Sequence, residues 1–127
     1  MPRKALDGMT ESMFYTLLAL LRGPKCGIEI AAFADKLTKG RVQLGPGTLY
    51  TILSRFLETG YLREVSTEGR KRTYALTEEG RRAYAAELAR LRSCLRDAEA
   101  AVLLPAEGGD SHEGEGPYLP PAPLPAL

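Results

Sequence analysis

Apolar residues recur along the first hundred positions in blocks with the period of a helix, and glycine or proline separates the blocks. The first block carries Met13, Phe14, Leu17, Leu18, Leu20 and Leu21 behind Thr10, an N-cap type, with Glu11 at the positive end of the helix dipole. Its apolar surface is wider than one stripe, so this helix either sits centrally in a small core or faces a second subunit. Gly23-Pro24 ends it. A second helix is predicted over residues 27–39, with Ile30, Phe33, Ala34 and Leu37 on one face and Gly40 as the stop. A third begins at Gly45-Pro46 and ends at Gly60, and Leu49, Ile52, Leu53, Phe56 and Leu57 fall on its core face. Residues 61–65 and 72–76 are rich in strand-forming residues and read as short strands around a turn that Gly69 permits. The last helix is predicted over residues 77–103, capped by Thr77 with Glu78 and Glu79 in its first turn.

That last helix carries Tyr84, Leu88, Leu91, Leu95, Ala98 and Val102 at alternating spacings of four and three, a heptad seam. At 1.5 Å per residue it is roughly 40 Å long and outruns a small domain, so the seam is expected to bury against another chain. The pattern as a whole predicts a mainly α fold with a small β-hairpin. It reads as a winged helix-turn-helix domain over residues 1–76 followed by a long dimerisation helix over residues 77–103.

The polar positions of the third helix change this from a fold to a candidate function. Opposite its core face stand Thr48, Tyr50, Thr51, Ser54 and Arg55. A helix face kept only for solubility usually carries Glu and Lys pairs. Hydroxyls with one arginine instead suit phosphates and base edges, and the first-turn amides suit a phosphate. Next comes the hairpin, with Arg70, Lys71 and Arg72 at its tip and second strand. Residues 38–76 hold seven basic side chains against Glu58, Glu64 and Glu68, a net of +4. In a winged helix-turn-helix one helix enters the major groove while the wing touches the flanking backbone.

Composition narrows the picture further. The chain has 127 residues and a formal net charge of +1, which hides an uneven distribution. Residues 104–127 carry six prolines, four acids and no Lys or Arg, leaving residues 1–103 with 17 basic and 12 acidic side chains, a net of +5. The final segment reads as an extended acidic arm, with disorder expected from such composition. Its Pro120 to Pro123 spacing is read as incidental to a proline-rich run. Cys26 and Cys94 form no Cys-x-x-Cys pair, and both are expected to be small buried apolar residues, not redox centres. His112 is the single histidine and lies in the tail, and adjacent Glu78 and Glu79 make a poor acid–base pair. No cofactor or metal is expected, and no enzyme. The start, Met1-Pro2-Arg3-Lys4, leads into no signal-type apolar stretch, and no run is long enough to span a membrane, so a cytoplasmic protein is expected.

Two longer stretches resemble a known family. Gly45-Pro46-Gly47-Thr48-Leu49-Tyr50 with Leu53, Arg55, Leu57 and Glu58-Thr59-Gly60-Tyr61-Leu62 is one. The wing with its exit, Gly69-Arg70-Lys71-Arg72-Thr73-Tyr74-Ala75-Leu76-Thr77-Glu78-Glu79-Gly80, is the other. Both resemble the PadR family of transcriptional regulators, over about residues 10–100, and the single last helix resembles the family's shorter subgroup. The resemblance implies a winged-helix homodimer on operator DNA, usually a repressor, often released by a small apolar or phenolic effector. Two-fold symmetry implies a palindromic site, and an effector is expected in the apolar space at the dimer interface. The resemblance places Pro46, Gly47, Thr48, Tyr50, Thr51 and Arg55 on the recognition helix and Arg70, Lys71 and Arg72 on the wing, and the polar face adds Ser54 to the DNA-facing set. The resemblance also places Phe14, Leu17, Leu18 and Leu21 of the first helix in the dimer interface with Tyr84, Leu88, Leu91, Leu95, Ala98 and Val102. Two departures stand out: Ile28 occupies a position where the family often has an aromatic, and the chain has no tryptophan to wall a pocket between long helices. The competing class is a winged-helix module that binds only protein, for which Arg70, Lys71 and Arg72 are dispensable.

Overall fold

A computed structural model describes residues 8–69 and 71–107. In chain order these form α1 (Glu11–Leu21), β1 (Lys25–Cys26), α2 (Gly27–Thr38), α3 (Pro46–Thr59), β2 (Leu62–Glu68), β3 (Lys71–Leu76) and α4 (Glu78–Val102). The chain divides into two units, Met1–Leu88 and Ala89–Leu127.

In the first unit the helix ends follow local chemistry. The Thr10 hydroxyl accepts the Met13 amide at 3.1 Å and caps α1. Lys25 closes the other end, its Nζ donating to the Ala19 carbonyl at 2.9 Å while lying 5.4 Å from the centre of the Phe33 ring. Helix α2 ends with Lys39 in the left-handed region (φ 53), one residue before the predicted stop at Gly40, which is also left-handed (φ 84). Helix α3 has Gly45 as N-cap, Pro46 in the first turn and left-handed Gly60 as C-cap.

The core is built from Leu17, Ile30, Ala34, Leu49, Leu53 and Phe56 with Leu62, Tyr74 and Leu76 of the sheet. Leu17, expected at a dimer interface, is 0% exposed within its own chain and has no surface to offer a partner. Its neighbours Phe14, Leu18 and Leu21 are half-buried, and Phe14 stacks on Tyr84 with ring centres 5.3 Å apart. Leu37 and Leu57, placed on core faces by periodicity, are exposed at the rim.

The sheet is antiparallel and three-stranded, in the order β1-β3-β2. Strand β1 was not expected: Lys25 and Cys26, read as the approach to the second helix, pair with Tyr74 and Thr73. The hairpin is longer than predicted, with Glu68 opposite Lys71 at its end and Gly69 left-handed at φ 59. A bulge between Glu64 and Ser66 shifts the register partway along β2.

One junction joins α3, the wing and α4. The Thr77 hydroxyl donates to the Gly60 carbonyl at 2.6 Å and accepts the Gly80 amide at 3.0 Å, while the Thr77 amide donates to the Tyr61 carbonyl at 3.0 Å. Gly80 is buried there, and a Cβ on it would stand 2.2 Å from the Tyr61 carbonyl oxygen. In the second unit, α4 exposes Leu91, Leu95 (59%), Ala98 and Val102. Cys26 is buried as expected, whereas Cys94 is exposed, with Arg90 Nη1 3.7 Å from its sulfur. Among the described residues no helix is long and apolar enough to cross a membrane.

Candidate nucleic-acid interface

Four turns of α3 set the surface. Leu49, Ile52, Leu53 and Phe56 hold the helix to the core, which leaves Thr48, Tyr50, Thr51, Ser54 and Arg55 exposed, as the polar pattern implied. Tyr50 is 56% exposed, and its hydroxyl lies over the start of α2, 3.5 Å from where a Cβ on Gly27 would be. Pro46 has no N–H, and the Leu49 amide bonds the Gly45 carbonyl at 2.9 Å, so the Gly47 and Thr48 amides are the first-turn donors. Thr51 Oγ1 donates back to the Gly47 carbonyl at 2.9 Å. Its hydroxyl therefore faces outward as an acceptor beside a methyl group, and donation falls to Thr48, Tyr50, Ser54 and Arg55.

The pairing of β3 between β1 and β2 brings the wing beside this face. Lys71 and Arg72 line one cavity of about 630 Å³ with Tyr50 and Ser54 of α3 and with Ile28 and Glu29 at the start of α2. Thr48, Thr51 and Arg55 lie on the same helix outside that cavity. Arg70 lies outside the described residues, as do His112 and the proline pair Pro120 and Pro123.

Charge on this surface is shaped by residues that periodicity does not flag. Glu29 accepts the Cys26 amide at 2.9 Å, and that hydrogen bond, helped by the Cys26 side chain, Lys71 and Lys25, holds its carboxyl below the usual value of 4.5. Burial pushes the Tyr74 hydroxyl up from 10.0, opposed by the Arg72 guanidinium beside it, so Tyr74 stays neutral. Arg41 is turned away from any such role: Nη1 meets Glu11 Oε2 at 2.8 Å and Nη2 donates to the Tyr15 hydroxyl at 3.0 Å, tying the loop before α3 to α1. Lys25 is likewise engaged at the end of α1. The Arg41–Glu11 ion pair thus takes one cation out of the basic count of the sequence, while Lys71 and Arg72 line the cavity. Among the described residues no group of three or more His, Cys, Asp or Glu side chains converges to hold a metal.

Comparison with known proteins agrees with this architecture. The transcriptional regulator PadR-like family model matches residues 17–86, more than half of the chain. A transcriptional regulator from Clostridium thermocellum superposes with a TM-score of 0.64 at 21% identity, covering 73% of this chain and 97% of that one. A PadR family transcription regulator from Clostridium difficile does so with a TM-score of 0.61 at 18% identity, covering 72% and 97%. A probable transcriptional regulator from Pseudomonas aeruginosa gives 0.57 at 24% identity, covering 77% and 70%. These likenesses bear on the fold alone. Among curated proteins, none matches the chain. On the family match, with the winged-helix architecture in agreement, the chain belongs to the PadR-like family of transcriptional regulators.

Proposed function

We propose that the chain is a DNA-binding transcriptional repressor, acting in the cytoplasm as a homodimer on a palindromic operator. The observation that carries this is the meeting of α3 and the wing: Tyr50 and Ser54 line one cavity with Lys71 and Arg72. In this reading Gly47 and Thr48 offer first-turn amides to a phosphate behind Pro46. Thr48, Thr51, Ser54 and Arg55 meet base edges in the major groove, and Arg70, Lys71 and Arg72 meet the flanking backbone.

Residues 1–76 then act as the DNA-binding domain and residues 77–103 as the dimerisation helix. The seam Tyr84, Leu88, Leu91, Leu95, Ala98 and Val102 pairs with its copy, flanked by Phe14, Leu18 and Leu21 of α1. The exposure of Leu91, Leu95 and Val102 in a single chain supports that pairing. A two-fold dimer presents two copies of α3 to one duplex, which is why the site should be palindromic. In this reading a small apolar or phenolic effector between α4 and α1 at the dimer interface releases the DNA.

Fluorescence anisotropy on the duplex upstream of the chain's own gene tests this, with a scrambled competitor and a salt series. Six to eight neutralised phosphates per dimer give a slope of log K against log salt of roughly −6. Binding that resists the competitor and follows such a slope is the expected result. Absence of binding to that duplex and to a pool of random duplexes would favour the module that binds only protein.

A further inference from the structure

We propose that the cavity between α3, the wing and the start of α2 is a binding site for a single-headed anionic amphiphile, a carboxylate on an apolar body. Its volume of about 630 Å³ lies within the range of small-molecule sites. The walls are of two kinds. Leu57, Tyr50 and Ile28 make an exposed apolar wall backed by the buried Leu53 and Tyr74, and Lys71 with Arg72 supplies two cations on the wing side. Glu29 is the one acid in the lining, and its carboxylate is already engaged by the Cys26 amide. The lining is therefore net positive, which selects against a cationic ligand.

A nucleic-acid backbone alone does not account for these walls. Phosphate oxygens are met by cations, hydroxyls and N–H groups, and they gain nothing from leucine. Yet Ile28 is 80% exposed at the lip and Leu57 is 37% exposed beside it, apolar surface that an alkyl or aryl body would remove from water. One ligand satisfies both halves: its carboxylate against Lys71 and Arg72, its body against Ile28, Leu57 and the Tyr50 ring. Because Tyr50, Ser54, Lys71 and Arg72 belong also to the proposed DNA surface, an occupied cavity excludes DNA, a consequence that rests on the functional reading above.

The test is isothermal titration of decanoate, below its micellar concentration, into the full chain, with acetate and decyltrimethylammonium as the comparison ligands. Saturable binding of one decanoate per chain is expected, with no saturable heat from acetate or from the cation. Ile28→Asn and Leu57→Gln together should weaken decanoate at least tenfold, and Ile28→Asn alone, at an exposed position, keeps the test if the pair does not fold. Over the same decanoate concentrations, bound duplex should be released in anisotropy. No saturable decanoate binding, equal binding of the cation, or binding indifferent to Ile28→Asn would each overturn the site. If the chain binds no duplex, the titration still decides the site while the regulator reading falls separately.

Discussion

Individual hydrogen bonds decide what each exposed side chain on this surface can offer. Thr51 directs its proton to the Gly47 carbonyl and so presents an acceptor and a methyl group. Thr51→Val keeps that methyl and should weaken DNA binding by no more than a few-fold, whereas Arg55→Ala should cost about 1–3 kcal/mol if it reads a base. Competition titrations against operator variants separate the two, since loss at Arg55 should relax specificity at one position. Glu29 has a pH signature of its own. Its carboxyl is held below 4.5 chiefly by the Cys26 amide, so the folded state binds fewer protons there than the unfolded state. That contribution is present above about pH 4.5 and is lost as pH falls through the lowered folded value. Urea midpoints of the wild type and Glu29→Gln should therefore differ at pH 7 and converge as pH falls through the lowered folded value. Parallel pH dependence in the two proteins would remove Glu29 from this role.

At the scale of elements, the junction of α3, β2 and α4 holds α3 against the wing. Thr77 caps α4 and also binds the last carbonyl of α3's cap, at Gly60. Thr77→Ala should destabilise the chain by about 1–2 kcal/mol. Gly80→Ala should cost about 1–3 kcal/mol, because the added methyl meets the Tyr61 carbonyl and Leu76. Denaturant unfolding checks both, and a neutral Gly80→Ala would mean that the start of α4 sits differently. The four helices were legible because their signals are local: Thr10, Pro46, Gly60 and Thr77 act within a turn of where they stand. Strand β1 was not, since two residues carry no alternation and Lys25-Cys26 becomes a strand only through β3. Leu37 and Leu57 show the converse limit. Their spacing is that of a core face, but the core ends before it reaches them.

For the whole molecule, apolar exposure and charge placement bear on assembly and partner. Leu91, Leu95 and Val102 are exposed in the single chain, so sedimentation should show twice the chain mass of 13.8 kDa. Leu91→Glu with Leu95→Glu should return it to one chain, and an unchanged mass would place the interface elsewhere. The helix face and the basic wing of the candidate site could be read from the sequence, because each is contiguous. The cavity could not, since Ile28, Tyr50 and Arg72 meet only through the fold, and neither could the engagement of Arg41 by Glu11, thirty positions away. The most direct measurement is the salt dependence of duplex binding by the wild type beside Lys71→Glu/Arg72→Glu, with folding and mass checked for both. The expected result is a folded dimer that loses binding by at least tenfold and shows a shallower salt slope. A charge-reversed wing that binds DNA with unchanged affinity and slope would contradict the account.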